Sequence, residues 1–501
     1  MNLLQKQGFF NSMILYAGTA LGFFNLIVLF QRILSIEEIG FFSLMIAISL
    51  LYSQIASFGI SNVILKYLPY YRTDDKRHGG FSTFILIWSI AGFAIFTLLF
   101  LLFKNWIIDY YRENKGASLL VKYFYYLIPL SCLTMIFSVL ESMAITVFKN
   151  VLSSFLREVV LRLFTLASVL LVSLAIFDYH DFLFAYMAAN VVAVLILFFY
   201  IVKGKSFKFA RISPQLFSEK RKFINYGIYT VLSSSSYVMI QNLDVIMLSL
   251  LTTQSLSFVG IYGTFFSIAI VISLPAKALS RTSLQIVAQS WVTDDLAKIG
   301  KIYYKTSVVQ MLIGCLLFIG LVINKPFIIM LLHKAQYTHY FNIFILVGLA
   351  FLVDMTGGLN NYIMNLSKYY RLTTVFIMCA VVLCVCSNWI LIPRIGMMGA
   401  AISYFVTIFV LNLAYWLFLK VKFGLQPFGK AHLYILAIFL FCLPIGLYLP
   451  TLKNVYLDMA YRSVIIGIIY VFLTYFFAVS EDINIIFDRL LKRPSKPFSD
   501  N

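Results

Sequence analysis

Residues 25–65, NLIVLFQRILSIEEIGFFSLMIAISLLYSQIASFGISNVIL, have a counterpart in residues 244–284, DVIMLSLLTTQSLSFVGIYGTFFSIAIVISLPAKALSRTSL. The two stretches stand at a constant spacing of 219 residues, so that Asn25 aligns with Asp244. Both copies are apolar over the length of a membrane helix. A duplicated set of membrane helices is typical of transporters, in which two halves enclose the substrate. The repeat therefore predicts movement of a substrate across a bilayer.

The composition indicates a chain that is solvated mostly by lipid. Of its 501 residues, 61% are apolar and 12% are charged, whereas soluble domains carry about 25% charged residues. Apolar stretches of about 20 residues, enough to cross about 30 Å of hydrocarbon, recur along the chain. We predict an all-α integral membrane protein with about 14 spans. The predicted spans are 9–30, 41–65, 81–103, 121–147, 154–177, 182–202, 223–251, 257–279, 302–323, 338–364, 372–392, 398–419, 432–449 and 461–479.

The basic residues predict the topology and the domain organisation. They concentrate in the loop between the sixth and seventh spans and in the C-terminal tail, so the positive-inside rule places both termini in the cytoplasm. We predict an N-lobe of six spans (1–202), a basic cytoplasmic linker (203–222), a C-lobe of six spans (223–422) and a segment with two extra spans and a basic tail (423–501). The lobes are expected to share one orientation in the membrane. The basic residues of the linker region are Lys203, Lys205, Lys208, Arg211, Lys220, Arg221 and Lys222.

The net charge of +19 does not predict a nucleic-acid partner, because the basic residues lie in loops between spans and form no soluble basic domain. They predict contact with anionic lipid headgroups instead. The six cysteines lie in apolar stretches and the five histidines form no set with metal-ligand spacing, so we predict no metal site. The sequence has no nucleophile–base set and no Gly-rich phosphate loop, and we expect no catalytic residues and no enzyme activity.

Several stretches resemble the polysaccharide flippases. Residues 34–43 (LSIEEIGFFS) resemble the turn into their second helix, and residues 259–263 (VGIYG) resemble the start of their eighth. Residues 58–61 (FGIS), followed by Lys66, resemble the end of the second helix, and residues 392–401 (IPRIGMMGAA) resemble the start of the twelfth. The whole chain is thus similar to Wzx-type O-antigen or polysaccharide flippases of the multidrug/oligosaccharidyl-lipid/polysaccharide exporter (MOP) superfamily.

This resemblance implies two six-helix lobes around a central cavity and alternating-access transport. The implied substrate is an undecaprenyl-pyrophosphate-linked oligosaccharide, which moves from the cytoplasmic to the outer leaflet of the bacterial inner membrane. The implied pathways are O-antigen (lipopolysaccharide), capsule or exopolysaccharide biosynthesis. We expect a monomer that works beside a polysaccharide polymerase and a chain-length regulator.

Five basic residues near span ends form the hypothetical pyrophosphate site, because Arg and Lys suit phosphate oxygens. Two alternatives stay open for them: snorkelling to the interface, and an i,i+4 ion pair between Glu158 and Arg162. Arg157 lies about 100° around the same helix and is expected to face a cavity. The five residues are Lys66, Arg157, Arg162, Lys277 and Arg281.

Other polar residues inside spans also require an explanation, because charge in a membrane is costly. Glu141, Asp244 and Asp354 are candidates for coupling to H⁺ or Na⁺, with helix-packing hydrogen bonds as the alternative. We expect no other cofactor. Four asparagines are candidates for binding sugar hydroxyls, with hydrogen bonds between helices as the alternative. They are Asn11, Asn25, Asn360 and Asn361.

Two other functions compete with a flippase. A multidrug exporter of the same superfamily shares the six-plus-six arrangement, but usually has 12 spans and favours an acidic or apolar cavity. A membrane glycosyltransferase or O-antigen polymerase usually has a sizeable outer loop with acids or arginines. The outer loop with a carboxylate pair here, at Glu37-Glu38, is only a few residues long.

Overall fold

The computed structural model describes residues 3–71, 77–113, 118–146, 150–203, 210–480 and 484. Regular secondary structure in these ranges is helical, which confirms the predicted all-α class. The α-helices there are α1 (Leu3–Phe23), α2 (Phe30–Ile33), α3 (Ile36–Ala56), α4 (Ile60–Tyr67), α5 (Phe81–Leu102), α6 (Lys104–Glu113), α7 (Ser118–Lys122), α8 (Leu127–Thr146), α9 (Asn150–Phe155), α10 (Leu161–Ser173), α11 (Tyr179–Lys203), α12 (Pro214–Ser218), α13 (Lys220–Leu251), α14 (Ser255–Ala269), α15 (Leu274–Val292), α16 (Leu296–Ile323), α17 (Lys325–Leu332), α18 (Gln336–His339), α19 (Phe341–Thr356), α20 (Asn360–Leu366), α21 (Tyr370–Ile395), α22 (Met397–Phe423), α23 (Lys430–Tyr448) and α24 (Val455–Phe476).

The described residues contain 11 helices long and apolar enough to cross a membrane. A twelfth is present if α19 and α20, which meet at a bend of 48°, count as one broken span. The protein is therefore a multi-pass membrane protein. Two further predicted spans, 154–177 and 223–251, fall largely on helical segments that carry several charged or polar residues. The count of 14 spans stays a prediction.

The backbone forms two compact units. Unit 1 comprises Met1–Thr264 and Cys384–Ala400, and unit 2 comprises Phe265–Leu383 and Ala401–Asn501. The predicted lobes, 1–202 and 223–422, are not tested by this division and stay a prediction.

Helix α3 begins with a capping box in the stretch that resembles the flippases. The Ser35 hydroxyl accepts a hydrogen bond from the Glu38 backbone N–H (3.2 Å), and the Glu38 carboxylate accepts one from the Ser35 backbone N–H (2.7 Å). These bonds satisfy two backbone donors that a helix start leaves unpaired. Glu37 and Glu38 also place negative charge at the positive end of the helix dipole.

Three glycines bring helical segments of unit 1 into backbone contact. A Cβ added at Gly40 of α3 would overlap the Leu256 carbonyl oxygen and would lie 2.9 Å from the Gly260 nitrogen. A Cβ at Gly260 of α14 would overlap the Ile36 carbonyl oxygen. At the other end of the α3–α4 segment, a Cβ at Gly227 of α13 would lie 2.5 Å from the Phe58 carbonyl oxygen. Only glycine permits these approaches.

Unit 2 is arranged around α16, which packs against α15, α19, α23 and α24. The bend between α19 and α20 lies at Gly357 and Gly358. Gly358 has a φ of +61°, a left-handed conformation that favours glycine. A Cβ at Gly357 would lie 2.7 Å from the Asn360 side-chain nitrogen. The break between the two helices therefore lies next to polar side chains.

We predict that Gly260→Ala lowers the unfolding temperature of the purified protein. The added methyl group must displace the Ile36 backbone, and overpacking of this kind costs about 1–3 kcal/mol. Gly320→Ala in α16 is the matched control, because a Cβ there meets nothing within 4 Å. Thermal unfolding in detergent, followed by tryptophan fluorescence, compares the two variants. Equal unfolding temperatures would contradict the close packing of α3 and α14.

Candidate functional site

The segment of α9 and α10, joined by a π-helical stretch (Leu156–Val160), carries two ion pairs in unit 1. Arg157 Nη2 lies 2.8 Å from Glu141 Oε2 on α8. Arg162 Nη2 lies 2.8 Å from Glu158 Oε2, so the pair predicted by the i,i+4 spacing is present. The Arg157 side chain is 42% exposed although it is paired with Glu141. This pair was not predicted from the sequence. Its predicted role in binding pyrophosphate stays a prediction.

Arg162 joins this segment to the first membrane helix. Its guanidinium donates to the Gly18 carbonyl oxygen as well as to Glu158. A Cβ at Gly22 would lie 2.8 Å from the guanidinium carbon, so a glycine at that position makes room for the arginine. The Asn25 side-chain N–H donates to the Arg162 carbonyl oxygen at 2.8 Å. Arg162 and Asn25 therefore link helices, and their predicted contacts with pyrophosphate and sugar stay predictions.

Lys66 and Asn11 are the two remaining predicted site residues of the first six predicted spans. The exposed Lys66 ammonium lies 3.9 Å from the centre of the Tyr226 ring and 5.2 Å from that of Tyr67. Such cation–π contacts hold the lysine at the end of α4. The Asn11 side-chain oxygen is buried and has no hydrogen-bond partner within the described part of the chain.

Asp244 is the most deeply buried of the predicted acids, with no solvent exposure. Its carboxylate accepts hydrogen bonds from the Tyr262 hydroxyl (2.6 Å) and the Asn388 amide (2.7 Å). The Cys384 thiol lies 3.7 Å away. All three partners are neutral donors, and they join α13, α14 and α21 within unit 1. The hydrogen-bonding alternative is therefore present, and ion coupling at Asp244 stays a prediction.

A second polar network lies in unit 2, at the bend between α19 and α20. The Asn412 amide donates to the Asp354 carboxylate at 3.1 Å and accepts from the Asn360 amide at 2.8 Å. Lys277 lies close enough to interact electrostatically with Asp354. Three of the five predicted site residues of unit 2, namely Lys277, Asp354 and Asn360, therefore meet around Asn412 or Asp354. The sequence analysis did not identify Asn412, although an asparagine inside an apolar span was a usable signal.

The other two predicted site residues of unit 2 are Asn361, which follows Asn360 in the chain, and Arg281. The Asn361 side-chain oxygen accepts a hydrogen bond from the Asn365 amide at 2.7 Å. Arg281 belongs to α15, and its side chain lies outside the described residues. Lys66, Arg157 and Arg162 belong to unit 1, whereas Lys277 and Arg281 belong to unit 2.

Two polar contacts of unit 2 were missed by the sequence analysis. The Gly429 backbone N–H donates to His432 Nδ1 (3.3 Å), so Nε2 carries the proton and donates to the Ser307 hydroxyl (2.9 Å). The Ser307 hydroxyl donates in turn to the Thr356 carbonyl oxygen at 2.6 Å. This chain of bonds connects α23 and α16 to the last residue of α19. A histidine at the start of a predicted span was its sequence signal.

The second missed contact is a buried ion pair in α24. Arg462 Nε lies 2.8 Å from the Asp458 carboxylate, and the two residues are 3% and 4% exposed. The guanidinium also donates to the carbonyl oxygens of Gly446 (2.7 Å) and Leu449 (2.8 Å) at the end of α23. These hydrogen bonds connect α24 to the end of α23. The i,i+4 spacing of the two charges would have predicted the pair.

One group of described residues could hold a metal ion by ligand geometry, namely Asp178, His180 and Asp181, all exposed. Asp178 and Asp181 also form a reciprocal helix cap, in which each carboxylate accepts a hydrogen bond from the other residue's backbone N–H (2.8 and 3.2 Å). The hydrogen bond from the Asp181 backbone lowers the pKa of Asp178. The predicted absence of a metal site stays a prediction.

We predict that Asp458→Leu destabilises the protein more than the double variant Asp458→Leu/Arg462→Met. The single change leaves a buried guanidinium without its counter-charge, at a cost of about 3–5 kcal/mol, whereas replacing both partners removes the charge. Asp109→Leu is the matched control, because its pair with Arg112 is 67–69% exposed and contributes little. Thermal unfolding of the purified variants gives the order. A double variant less stable than the single one would contradict this role.

Comparison with known proteins agrees with this architecture. Residues 4–280 match the model of the family described as "Polysaccharide biosynthesis protein". No curated protein matches the chain. Among solved structures, the fold is similar to a lipid II flippase, MurJ, in an inward closed conformation, with 15% identity, a TM-score of 0.73 and coverage of 96% of this chain and 99% of that one.

Transporters of the MOP superfamily also share the fold. An inward-facing multidrug resistance transporter of the MATE family has 12% identity and a TM-score of 0.63, over 82% of this chain and 94% of its own. A MOP superfamily transporter from Pyrococcus furiosus has 13% identity and a TM-score of 0.53, over 85% and 93%. At such identities these structures establish the fold, and the family match covers more than half of the chain. The protein belongs to the polysaccharide biosynthesis protein family and has the fold of MOP-type membrane transporters.

Proposed function

We propose that this protein is a flippase that moves undecaprenyl-pyrophosphate-linked oligosaccharide repeat units from the cytoplasmic to the outer leaflet by alternating access. The membership of a polysaccharide biosynthesis family supports this function. So does the fold shared with a lipid II flippase. The destinations we propose are O-antigen, capsule or exopolysaccharide, assembled at the bacterial inner membrane with a polymerase and a chain-length regulator. No catalytic step by this protein is part of the proposal.

The observation that carries the proposal is Arg157, an arginine of a helix inside the membrane protein that is 42% exposed. Charge is retained in a membrane segment when it works or is paired, and an exposed guanidinium has donors left for a ligand. Its planar fork suits the oxygens of a pyrophosphate. Lys66, exposed at the end of α4, is a second cation in unit 1. In the proposed topology both lie toward the cytoplasmic side, where the substrate is loaded.

The proposed driving force has two components. A pyrophosphate leaving a cell that is negative inside gains about 2.3 kcal/mol per charge per 100 mV. Glu141, Asp244 and Asp354 are the proposed ion-coupling acids for H⁺ or Na⁺, because each lies inside a span predicted from the sequence. Asp244 is the strongest of them, since it is fully buried and its hydrogen-bonded partners are neutral.

A multidrug exporter is the second candidate, because one structure with this fold is described as a multidrug resistance transporter. The two candidates differ in substrate charge. Expression in a drug-sensitised host would raise resistance to cationic drugs if the protein were such an exporter, whereas a flippase would leave resistance unchanged.

We predict that Arg157→Gln and Lys66→Gln each reduce surface polysaccharide in a strain that depends on this protein. Each change removes one cation from the proposed substrate site without adding a negative charge. Lys420→Gln is the matched control, because Lys420 also lies over an aromatic ring, that of Trp416 at 5.1 Å, at a helix end. Polysaccharide is measured by gel staining at equal protein levels. Unchanged polysaccharide in both variants would remove these residues from the site.

We predict that collapse of the membrane potential at constant ion gradients slows transport in proteoliposomes, because the moved anion then gains no electrical energy. The assay follows a labelled lipid-linked oligosaccharide. In a second arm, Asp244→Asn abolishes any remaining dependence on an imposed H⁺ or Na⁺ gradient, since the amide keeps the size but loses the charge. Transport that ignores the potential would exclude the electrical component, and an unaltered ion dependence would exclude Asp244.

A further inference from the structure

The Arg157–Glu141 pair differs from the other ion pair of the same helical segment in how firmly it is held. Arg162 is bound to Glu158 and to the Gly18 carbonyl oxygen, so two of its nitrogens are used within unit 1. Among the residues that the structure describes, Arg157 is paired with one carboxylate, that of Glu141, at 2.8 Å. Its side chain is 42% exposed, and that of Glu141 is 20% exposed. An anion arriving from the exposed side therefore reaches Arg157 without breaking the pair that joins the first helix.

Arg157 also has a support that does not depend on Glu141. Its guanidinium carbon lies 4.9 Å from the centre of the Phe137 ring, and Phe137 is buried in the core of unit 1. A stacked guanidinium keeps its plane and direction through this contact. The arginine therefore stays in position when its carboxylate partner is exchanged for another anion.

We propose that Glu141 occupies the place on Arg157 that a phosphate oxygen of the substrate takes, so that the carboxylate is a built-in competitor that sets the affinity of the site for anions. This inference rests on the proposed function and assigns Glu141 a second role at the same site. Glu141 Oε2 contacts Arg157 Nη2, and a phosphate oxygen is an acceptor of the same kind, so one can replace the other at this donor.

The competitor has two physical consequences. A neutral or cationic ligand offers Arg157 no charge in exchange for Glu141, so the pair discriminates in favour of anions. A transporter must also release its substrate, and tight binding of substrate alone does not raise turnover. When Glu141 returns to Arg157, it displaces the anion and promotes release.

The test measures binding of inorganic pyrophosphate to the full-length protein in nanodiscs by isothermal titration calorimetry. Glu141→Gln removes the competing charge and is expected to bind pyrophosphate about fivefold more tightly than the unaltered protein, which is about 1 kcal/mol. Arg157→Gln is expected to weaken binding, and Glu141→Gln/Arg157→Gln is expected to match it, because the competitor acts only through the arginine.

Glu219→Gln is the matched control. It removes one negative charge from an ion pair of unit 1, that with Lys222 at 3.1 Å, which lies outside the membrane helices. Its affinity for pyrophosphate is expected to lie within twofold of that of the unaltered protein. The control therefore distinguishes a general change in net charge from the loss of the Glu141 carboxylate. Circular dichroism and size-exclusion chromatography confirm that each variant is folded.

The inference is overturned if Glu141→Gln binds pyrophosphate no more tightly than the unaltered protein, or if its tighter binding persists without Arg157. The proteoliposome assay distinguishes this failure from that of the proposed function. Transport of lipid-linked oligosaccharide by the unaltered protein together with no gain in Glu141→Gln rejects the competitor alone. Absence of that transport rejects the proposed function itself.

Discussion

The cost of placing charge within a membrane is the constraint on which the polar architecture depends. Burial of an ion without a partner costs several kcal/mol, and the arginines Arg462 and Arg162 are each held by a carboxylate and by at least one backbone carbonyl oxygen. Arg462 satisfies its guanidinium with Asp458 and two carbonyl oxygens, and it thereby closes the end of the preceding helix. Arg162 does the same between the first helix and the segment 150–173. In both places the charge organises the packing of helices.

Glycine is the second determinant of helix packing, because it sets how closely two helices approach each other. Gly18 and Gly22 leave room for Glu158 and Arg162 on the facing helix. At the bend of unit 2, Gly357 lies against the amides of Asn360 and Asn412. Small residues at helix contacts thus place backbone and polar side chains at hydrogen-bonding distance, which is how membrane helices associate without a hydrophobic driving force.

The two units place their polar groups differently. Unit 1 contains the exposed cations Arg157 and Lys66 together with the fully buried Asp244. In unit 2 a network of amides surrounds Asp354 beside the bend between α19 and α20. The proposed pyrophosphate site uses the two exposed cations of unit 1, Arg157 and Lys66.

Periodicity and composition sufficed to predict the class, since a span needs about 20 apolar residues and this requirement is local. The Glu158–Arg162 pair was predictable for the same reason, because i,i+4 neighbours on one helix meet in any fold. Pairings between distant segments were not predictable in this way. The contact of Arg157 with Glu141, for example, depends on how two helices pack.

The sequence by itself determined that this is a helical membrane protein of a polysaccharide biosynthesis family, because hydropathy and motifs are properties of short stretches. Only the tertiary structure decided which polar side chains meet. Asp244 is hydrogen-bonded to Tyr262 and Asn388, and Asn360 to Asn412. Each of these bonds joins two different helices. Such contacts depend on the rotation and crossing of packed helices, which are set by many side chains together and by no single motif.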